Sequence, residues 1–441
     1  MRNSGLCTIL PLFAVLLAGC VTLPAEDGEP SPSASLSIGS TPAPTRAPGT
    51  TPTPTRAATP TPTRSPNSSC SDRRIILEPS AEGGMSINGS GYIPGDTFVL
   101  RSSTTNWTYL SLNNFQGTAA CPFTVTNEGG QVKMLYGFGI TSSTYVRVIG
   151  NGSPNTLYGF HVEDQLPDAQ GVAFGIYEKS AHIEVSHISI HHKEYGFWIK
   201  NEANCDTSIN NWVLDDIAVH DVKITNTDSQ GFYMGSTDPN NFDRPIICDG
   251  VTRYYAPSRL GNIRIYNNFI DTTGRGGIQL SGASTGQSKI YNNVVRNNGT
   301  QLDDAQGVGI VLGGYTRAHV YNNDIKNTLT WGIAALGSTQ LIIENNTIDK
   351  SGQLGSNLLN WPANIYVDTR STIPVELTTF IVRNNTLGSR GSQMSYAIDI
   401  GKLKDTYSTT GNYICNNLML NSGSPATPHV AAGVVWSDRC P

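Results

Sequence analysis

Short runs of alternating apolar and polar residues recur through the second half of the chain, and each contains a pair of asparagines. Aligned on that pair, six runs read IRIYNNFI, KIYNNVV, HVYNNDI, IIENNTI, IVRNNTL and YICNNLM. Their second asparagines are separated by 25, 30, 23, 39 and 32 residues. Alternation with a period of two predicts β-strands, and fixed strand segments with variable connections are typical of a solenoid.

A second apolar run follows each of the first five pairs: GIQLS from residue 277, GIVLG from 309, GIAAL from 332, NIYVD from 364 and AIDIG from 397. Two earlier segments, 183–200 and 217–235, fit the same pattern without the asparagine pair. Two short strands per repeat cannot enclose a core by themselves. We therefore expect the repeats to stack as successive coils, which bury a common interior.

These runs resemble the repeats of the right-handed parallel β-helix superfamily, which includes pectate lyases and many other polysaccharide-active proteins. The resemblance covers most of residues 80–441. It implies that residues 70–441 form an all-β, single-stranded right-handed parallel β-helix with roughly ten or more coils. The resemblance concerns the fold and leaves the chemistry open.

Stacked coils bring equivalent residues of successive repeats into ladders. The expected inward aliphatic ladder comprises Ile190, Ile224, Ile270, Val295, Ile325 and Ile348. The expected amide ladder, at a turn between strands, comprises Asn268, Asn293, Asn323, Asn346, Asn385 and Asn417. Each amide can donate and accept along such a stack, so the asparagine pair is interpreted as structural rather than ligand-binding.

Residues 92–132 read YIPGDTFVLRSSTTNWTYLSLNNFQGTAACPFTVTNEGGQV. This segment is similar to the opening coils of the chondroitinase B and alginate lyase family, in which a PGD turn leads into the first strand. That resemblance implies β-elimination on uronate-containing polysaccharides, with a Lys and an Arg as base and acid and often with Ca²⁺. The catalytic Lys and Arg of that family have no matching motif in this chain.

The N-terminus has the features of an export signal. Arg2 precedes an apolar run from Leu6 to Leu17, and Leu-Ala-Gly-Cys ends at Cys20, which resembles the bacterial lipoprotein signal. Residues 1–20 are therefore predicted to be a signal peptide with lipidation at Cys20, the alternative being an ordinary signal peptide. Residues 21–69, rich in Pro, Thr and Ser, predict a disordered linker. We expect an exported protein that is lipid-anchored at the bacterial cell surface or membrane.

Composition limits the range of partners. A net charge of -5 provides no basic excess for nucleic acid, and contact with the membrane is expected only through the lipid. Six cysteines remain outside the signal and the lipidation site, which predicts disulfides in an exported domain. The preferred pairing of the 15 combinations is sequential, and a zinc site or free thiols are the alternatives. These cysteines are Cys70, Cys121, Cys205, Cys248, Cys415 and Cys440.

Outward side chains near the corner between the two predicted strands mix imidazole, carboxylate, cationic and aromatic groups, which suit polysaccharide binding. The candidate catalytic residues are His191, His192, Lys193, Lys200, Asp271 and Arg275. The candidate substrate-binding residues are Trp198, Asp228, Tyr233 and Gln279, together with Arg244, Arg253 and Tyr254 of the long excursion between Gly235 and Gly261. A disulfide between Cys205 and Cys248 would fasten that excursion as one wall of a groove.

Each candidate has an alternative structural interpretation. The two histidines can be solvated turn residues, Asp271 and Arg275 can form an ion pair across the corner, and the excursion can be a plain surface loop. A shift of the register by one residue would place Trp198 and Tyr233 in the core. Ca²⁺ is the one cofactor considered, with acid pairs at Glu163-Asp164 and Asp303-Asp304, although no dense carboxylate cluster supports it.

The sequence therefore leads to three functional hypotheses for a monomeric surface protein. The first is a polysaccharide lyase on a uronate-containing glycan, in which Arg275 or Lys200 neutralises the carboxylate and His191 or Lys193 is the base. The second is a non-catalytic glycan-binding or adhesion module that uses the same groove. The third is a glycoside hydrolase, although Asp215-Asp216 and Asn226-Thr227-Asp228 do not reproduce the order of polygalacturonase motifs.

Overall fold

The asparagine pairs divide each alternating run into two strands, so that a coil has three strands where the sequence predicted two. Arg264–Tyr266 ends just before Asn267 and Asn268, and Phe269–Thr273 begins just after them. Ile278–Leu280 completes the coil. The strand just after an asparagine pair belongs to the first face, and the following strand belongs to the second face. The strand just before the asparagine pair of the next coil belongs to the third face. The turn between the first and second faces is called the first corner.

The computed structural model describes residues 70–103, 107–165, 170–208, 211–236, 245–303, 306–352, 363–368, 378–388, 396–401, 410–420 and 428–441. The predicted signal segment, Cys20 and the linker lie outside the described residues, and so does Arg244. Residues Pro66–Pro441 form one compact unit. In the described ranges no helix has the length and apolarity needed to cross a membrane, and the 3₁₀ turn Gly89–Gly91 is the helical element present there.

The strands of each face are as follows. The first face contains Phe160–Glu163, Ile188–His191, Lys223–Thr227, Phe269–Thr273, Val294–Asn298, Asp324–Thr328, Thr347–Ser351, Thr386–Leu387 and Leu418–Met419. The second face contains Met85–Asn88, Trp107–Asn113, Val172–Tyr177, Tyr195–Ile199, Phe232–Met234, Ile278–Leu280, Ile310–Leu312, Ile333–Leu336, Ala363–Asp368, Tyr396–Ile400 and His429–Val430. Val132–Thr141 bends at Gly137 and contributes to both faces.

The third face contains Arg74–Leu77, Thr97–Arg101, Phe123–Glu128, Thr144–Ile149, Ala181–Ser186, Val213–His220, Arg259–Gly261, Arg264–Tyr266, Ala283–Thr285, Ser288–Tyr291, Arg317–Tyr321, Gln340–Glu344, Thr379–Arg383 and Tyr413–Cys415. Its unbroken path comprises 12 hydrogen-bonded strands, which confirms the prediction of roughly ten or more coils. Strands of neighbouring coils pair in parallel throughout the three faces. The exception in the described residues is a short antiparallel hairpin, Ile246–Cys248 with Val251–Arg253, in the excursion.

Both predicted ladders are present. The inward column on the first face runs in register from Ile190 through Ile224, Ile270, Val295 and Ile325 to Ile348, and all six side chains are buried. In the amide ladder the Nδ2 of one asparagine donates to the Oδ1 of the next over 2.9–3.0 Å. The preceding asparagine of each pair has φ of 55–56°, a conformation that asparagine tolerates better than most residues. The pair thus supplies a tight bend and then satisfies its buried polar groups.

A second left-handed position interrupts the first-face strands just before the first corner. It is occupied by residues with φ between 51° and 58°, namely His192, Asn226, Thr272, Asn297, Asn327 and Lys350. One residue inserted in this conformation breaks the alternation of side chains, so that the residue after it faces the interior. The side chains in this interior position are all buried: Lys193, Thr227, Thr273, Asn298, Thr328 and Ser351.

The six cysteines form the three sequential disulfides that the sequence favoured. Cys70 is bonded to Cys121, Cys205 to Cys248 and Cys415 to Cys440. The first joins the N-terminal coils, the second fastens the excursion to the preceding coil, and the third closes the C-terminal segment onto the last third-face strand. These bonds favour the folded state mainly by restricting the unfolded chain.

Candidate functional site

The first corners of four successive coils stack on one another through their backbones. The amides of Asp228 and Ser229 donate to the carbonyl oxygens of Lys193 and Glu194 over 2.9 and 2.8 Å. Arg275 N donates to Ser229 O over 3.2 Å, and Gln301 N donates to Gly274 O over 2.9 Å. Side chains at these corners therefore repeat at about the spacing of adjacent strands.

These corners enclose a polar pocket of about 290 Å³, here called the corner pocket. It is lined by Glu194, Tyr195, Asp228, Ser229, Arg275 and Gln301. Asp228 and Arg275 were among the residues predicted from the sequence. The other four were not, because corner residues follow the left-handed position and fall outside the period-two pattern. The signal that could have identified them is the polar segment that begins two residues after that position, as in Glu194-Tyr195 and Asp228-Ser229.

The corner pocket places two carboxylates beside one guanidinium. Glu194 Oε2 accepts a hydrogen bond from the amide of Gly171 over 3.3 Å. Arg275 Nε lies 3.7 Å from Asp303 Oδ2, and both side chains are more than one third exposed. That nitrogen has no hydrogen-bond partner within the described part of the chain. The ion pair between Asp271 and Arg275, which was the alternative interpretation of these residues, is not formed, because Arg275 faces Asp303 instead.

Aromatic rings lie on the second face beside the corner pocket. Trp198 and Tyr233 are paired in register and face outward, while Phe197 and Phe232 fill the core, so the predicted register is confirmed. The ring of Trp198 lies edge-on to those of Tyr233 and Tyr195, at centroid distances of 4.7 and 4.8 Å. Such partly exposed rings offer apolar surface to the C–H face of a sugar.

Lys200 belongs to this aromatic cluster and not to the corner pocket. Its ammonium group lies 5.0 Å from the centre of the Trp198 ring and 4.8 Å from that of Tyr233. Its Nζ forms an ion pair with Glu202 Oε1 over 2.8 Å. The cation is thus held by ring faces and a carboxylate, and it positions the two rings.

The outward residues of the first face form a continuous polar row. In register along the helix it comprises Glu163, His191, Thr225, Asp271, Arg296, Lys326 and Asp349. His191 Nδ1 lies 2.9 Å from the Thr225 hydroxyl, and its Nε2 lies 3.9 Å from Glu163. Asp271 accepts hydrogen bonds from Asn297 over 2.7 Å and from Thr272 over 2.9 Å. His192 occupies the left-handed position, with its ring centre 6.4 Å from that of His191.

Lys193 and Gln279 do not lie at the surface as the sequence had suggested. Lys193 fills the interior position after His192 and is only 1% exposed, because the left-handed residue turns it inward. Gln279 does lie in the outward row of the second face. It is nevertheless buried, and Gln230 Nε2 donates to its Oε1 over 3.4 Å. Neither side chain lines the corner pocket.

The excursion leaves the second face after Phe232–Met234, on the edge opposite to the first corner. It is fastened by Cys205–Cys248 as expected. Arg253 donates to the Tyr255 hydroxyl over 3.0 Å, and Tyr254 is exposed. None of its described residues lines the corner pocket.

The described residues include no group of three or more His, Cys, Asp or Glu side chains arranged to hold a metal ion. Glu163 and Asp164 diverge, because Glu163 faces His161 on the outside at 3.1 Å and Asp164 faces Lys193 inside at 3.2 Å. They therefore do not form together the calcium site that was considered from the sequence.

Several solved structures and one family model are similar to this chain. Comparison with curated proteins gives no match. Among solved structures, an alginate lyase from Paenibacillus sp. str. FPU-7 matches at 12% identity and a TM-score of 0.43, covering 83% of this chain and 100% of its own. An exopolygalacturonase from Thermotoga maritima matches at 10% identity and a TM-score of 0.39, covering 81% of this chain and 87% of the exopolygalacturonase. The A-module of the mannuronan C-5 epimerase AlgE4 from Azotobacter vinelandii matches at 14% identity and a TM-score of 0.34. The match covers 78% of this chain and 91% of the A-module.

Similarity at this level carries no information about activity. The family model described as "Right handed beta helix region" matches residues 168–348 and 210–417, which together make up more than half of the chain. The chain therefore belongs to the right-handed β-helix family.

Proposed function

We propose that the protein is a carbohydrate-active enzyme that hydrolyses an extracellular polysaccharide at the corner pocket. The observation that carries this proposal is that Glu194 and Asp228 line the same pocket, next to the outward rings of the second face. Glycoside hydrolysis uses two carboxyl groups. One protonates the bridging oxygen as its bond to the anomeric carbon breaks, and the other assists the attack on that carbon, directly or through water.

The charge distribution favours an uncharged glycan. Five cations at or near the site face a carboxylate: Lys193 with Asp164, Lys200 with Glu202, Arg275 with Asp303, Arg296 with Asp324 and Lys326 with Asp349. Binding a polyuronate would require cations that are not yet compensated. The carboxylates of Glu194 and Asp228 add negative charge to the pocket, which opposes an acidic chain.

The aromatic cluster supplies the second requirement of glycan binding. Trp198, Tyr233 and Tyr195 lie within 6 Å of one another by ring centroids, on the face that adjoins the corner pocket. A sugar ring that packs against them would place the next residue of its chain in the pocket. Tight binding of neutral sugars relies on such ring contacts combined with hydrogen bonds to hydroxyl groups.

A uronate lyase is the second candidate, and Arg275 is the observation that favours it. Arg275 faces Asp303 at 3.7 Å without a hydrogen bond from its Nε, so a substrate carboxylate could replace Asp303 as its partner. Tyr195 or His191 would then remove the proton next to that carboxylate. A third outcome, binding without turnover, would identify the protein as an adhesion or glycan-binding module.

Export and lipid anchoring belong to the same proposal. The segment 1–20 with Cys20 supports a lipoprotein signal, and the three disulfides fit an oxidising compartment. The Pro-rich segment 21–69 would hold the β-helix away from the membrane. We propose that the protein acts as a monomer at the bacterial cell surface.

The direct test uses the purified full-length chain and four polymers: arabinoxylan, mixed-linkage β-glucan, galactan and polygalacturonate. Release of reducing ends from a neutral polymer, without ultraviolet absorbance from unsaturated products, is the result expected of a hydrolase. Absorbance on polygalacturonate would instead establish the lyase. Retention on affinity gels with no product from any polymer would leave the binding module as the function.

A further inference from the structure

The first corner is open at the corner pocket and closed at the next coil along the helix axis. There the corner consists of Leu329, Thr330 and Trp331, whose side chains are all buried. Leu329 N donates to Asn298 O over 3.1 Å, and Thr330 N donates to Gly307 O over 3.0 Å. A glycan chain lying along the corners would therefore meet protein immediately beyond the pocket.

The obstruction is a short wall made of residues 299–303 and 306–307. This segment folds back over the preceding coil, with Gly299 N donating to Thr273 O over 2.9 Å and Gln301 N to Gly274 O over 2.9 Å. Gln306 Oε1 accepts from Gln230 Nε2 over 3.4 Å and so fastens the other end. Gln301 lies on the pocket side of this wall and lines the pocket.

The wall packs against the closed corner without a gap. A Cβ atom added to Gly299 or to Gly307 would lie 2.4 Å from the Cβ of Leu329 in either case. Both positions therefore require glycine, because any larger residue would push the wall away from Leu329. At these two glycines the wall therefore lies directly on Leu329.

The second face closes at the same level. Trp198 and Tyr233 are partly exposed, but the next residues of the same outward row, Gln279, Val311 and Ala334, are buried. Val311 and Ala334 belong to a separate apolar cluster outside the main core, where Trp331 stacks on Tyr366 at a centroid distance of 4.9 Å. The exposed part of the second face thus ends at about the same level along the helix as the corner pocket.

We propose that the corner pocket receives the end of a glycan chain, with Arg275 and Gln301 at the closed terminus, and that cleavage releases a short product of one size. This inference rests on the proposed function for its cleavage step. Water is added across one glycosidic bond, so the anomeric carbon gains the hydroxyl group and the bridging oxygen gains the proton. A closed terminus limits how many sugar units can lie beyond the bond that is cleaved.

The test measures binding and products separately, on short and long size fractions of arabinoxylan, mixed-linkage β-glucan, galactan and polygalacturonate with the full-length chain. For the unbranched mixed-linkage β-glucan and polygalacturonate we expect one bound protein per polymer chain in both fractions, because each of these chains has one end of the required kind. We also expect a single short oligosaccharide from the earliest time points. Binding that increases with chain length, or a spread of initial product sizes, would overturn the inference.

The two proposals fail in different ways. Binding at chain ends without any product would support the closed terminus and contradict the proposed hydrolysis. Turnover with a spread of product sizes would support hydrolysis and contradict the closed terminus. Absence of binding to all four polymers would overturn both.

A pair of matched substitutions adds a structural check, because Gln301 and Gln340 are both exposed, the first in the pocket and the second on the third face. Gln301→Trp should lower chain-end affinity about tenfold by filling the terminus, and Gln340→Trp should leave it unchanged. Equal effects of the two substitutions would contradict the placement of the terminus.

Discussion

The ammonium nitrogen of Lys193 lies 3.2 Å from a carboxylate oxygen of Asp164, and both side chains are almost completely buried. Lys193 also donates to Leu135 O over 3.4 Å. Burial lowers the pKa of Lys193, and the attraction of Asp164 only partly offsets that effect. The lysine is therefore the partner of Asp164 inside the first corner and does not present its amine to a polymer.

Replacing this lysine should destabilise the fold. Lys193→Met leaves the carboxylate of Asp164 buried without its cation, which we expect to lower the free energy of unfolding by about 3–5 kcal/mol. Adding Asp164→Leu should recover most of that loss, since removing both charges avoids the unpaired group. Urea denaturation of the single and double variants measures both effects. A double variant no more stable than the single one would show that the pair is not the cause.

The amide ladder makes a similar prediction at a different site. Asn323 donates to Asn346 over 2.9 Å and accepts from Asn293 over 2.9 Å, deep in the turn. Asn323→Leu leaves polar groups of both neighbours unsatisfied and should cost about 1–3 kcal/mol in the free energy of unfolding. Asn322→Gly is the matched control, because φ at this position is 55° and glycine adopts that angle freely. Equal losses in thermal or urea unfolding would argue against a special role for the ladder.

Acid should weaken the N-terminal coil through Asp96. The buried carboxylate accepts hydrogen bonds from Arg73 Nε and from the amide of Ile93, each over 2.9 Å, and the contact with Arg73 contributes most to lowering its pKa to about 2. A carboxyl group with a lowered pKa stabilises the fold above its ordinary pKa of 3.8. That stabilisation is lost as the pH falls from about 4 towards 2.

Hydrogen exchange of residues 71–77 measures this effect directly. In the natural protein their protection should decrease across that pH range. In Asp96→Asn it should be low from the start and should vary less with pH, because the titrating group is gone. Identical pH profiles for the two proteins would contradict the role assigned to Asp96.

The aromatic cluster should contribute to affinity and not to stability. Trp198→Ala removes the central ring from a partly exposed position, and we expect about a tenfold loss of glycan affinity with little change in the melting temperature. Tyr291→Ala on the third face is the control. Tyr266, Tyr291 and Tyr321 stack at 4.9 Å with nearly parallel rings, so their flat faces cover one another and are not free for sugars. A loss of affinity in Tyr291→Ala as large as that in Trp198→Ala would move the binding surface to the third face.

The repeat made the fold predictable from the sequence. Period-two alternation and the asparagine pairs indicated stacked coils, because the same residue types recur wherever the same packing recurs. The ladder from Ile190 to Ile348 and the outward position of Trp198 follow from that alternation alone. The sequence missed the third strand of each coil, because the bend at the asparagine pair does not interrupt the apolar pattern.

The site was less predictable, for two physical reasons. The left-handed conformation at His192 shifts the alternation by one residue, and backbone angles of this kind are not visible in hydrophobic patterning. This is why Lys193 was expected outside and lies inside. The burial of Gln279 depends on Gln230 and on the wall that carries Gln306, which come from different coils. Such contacts between distant segments have no periodic signature.

The measurement that tests the proposed function most directly compares reducing-end release by the natural protein, Glu194→Gln and Asp228→Asn on the four polymers. Each substitution keeps the shape of the side chain and removes its acid–base capacity. We predict that each pocket variant loses about 100- to 10 000-fold in rate and keeps the free energy of unfolding of the natural protein. The control Glu128→Gln, on the third face, should keep full activity. Full activity in both pocket variants would contradict catalysis at the corner pocket.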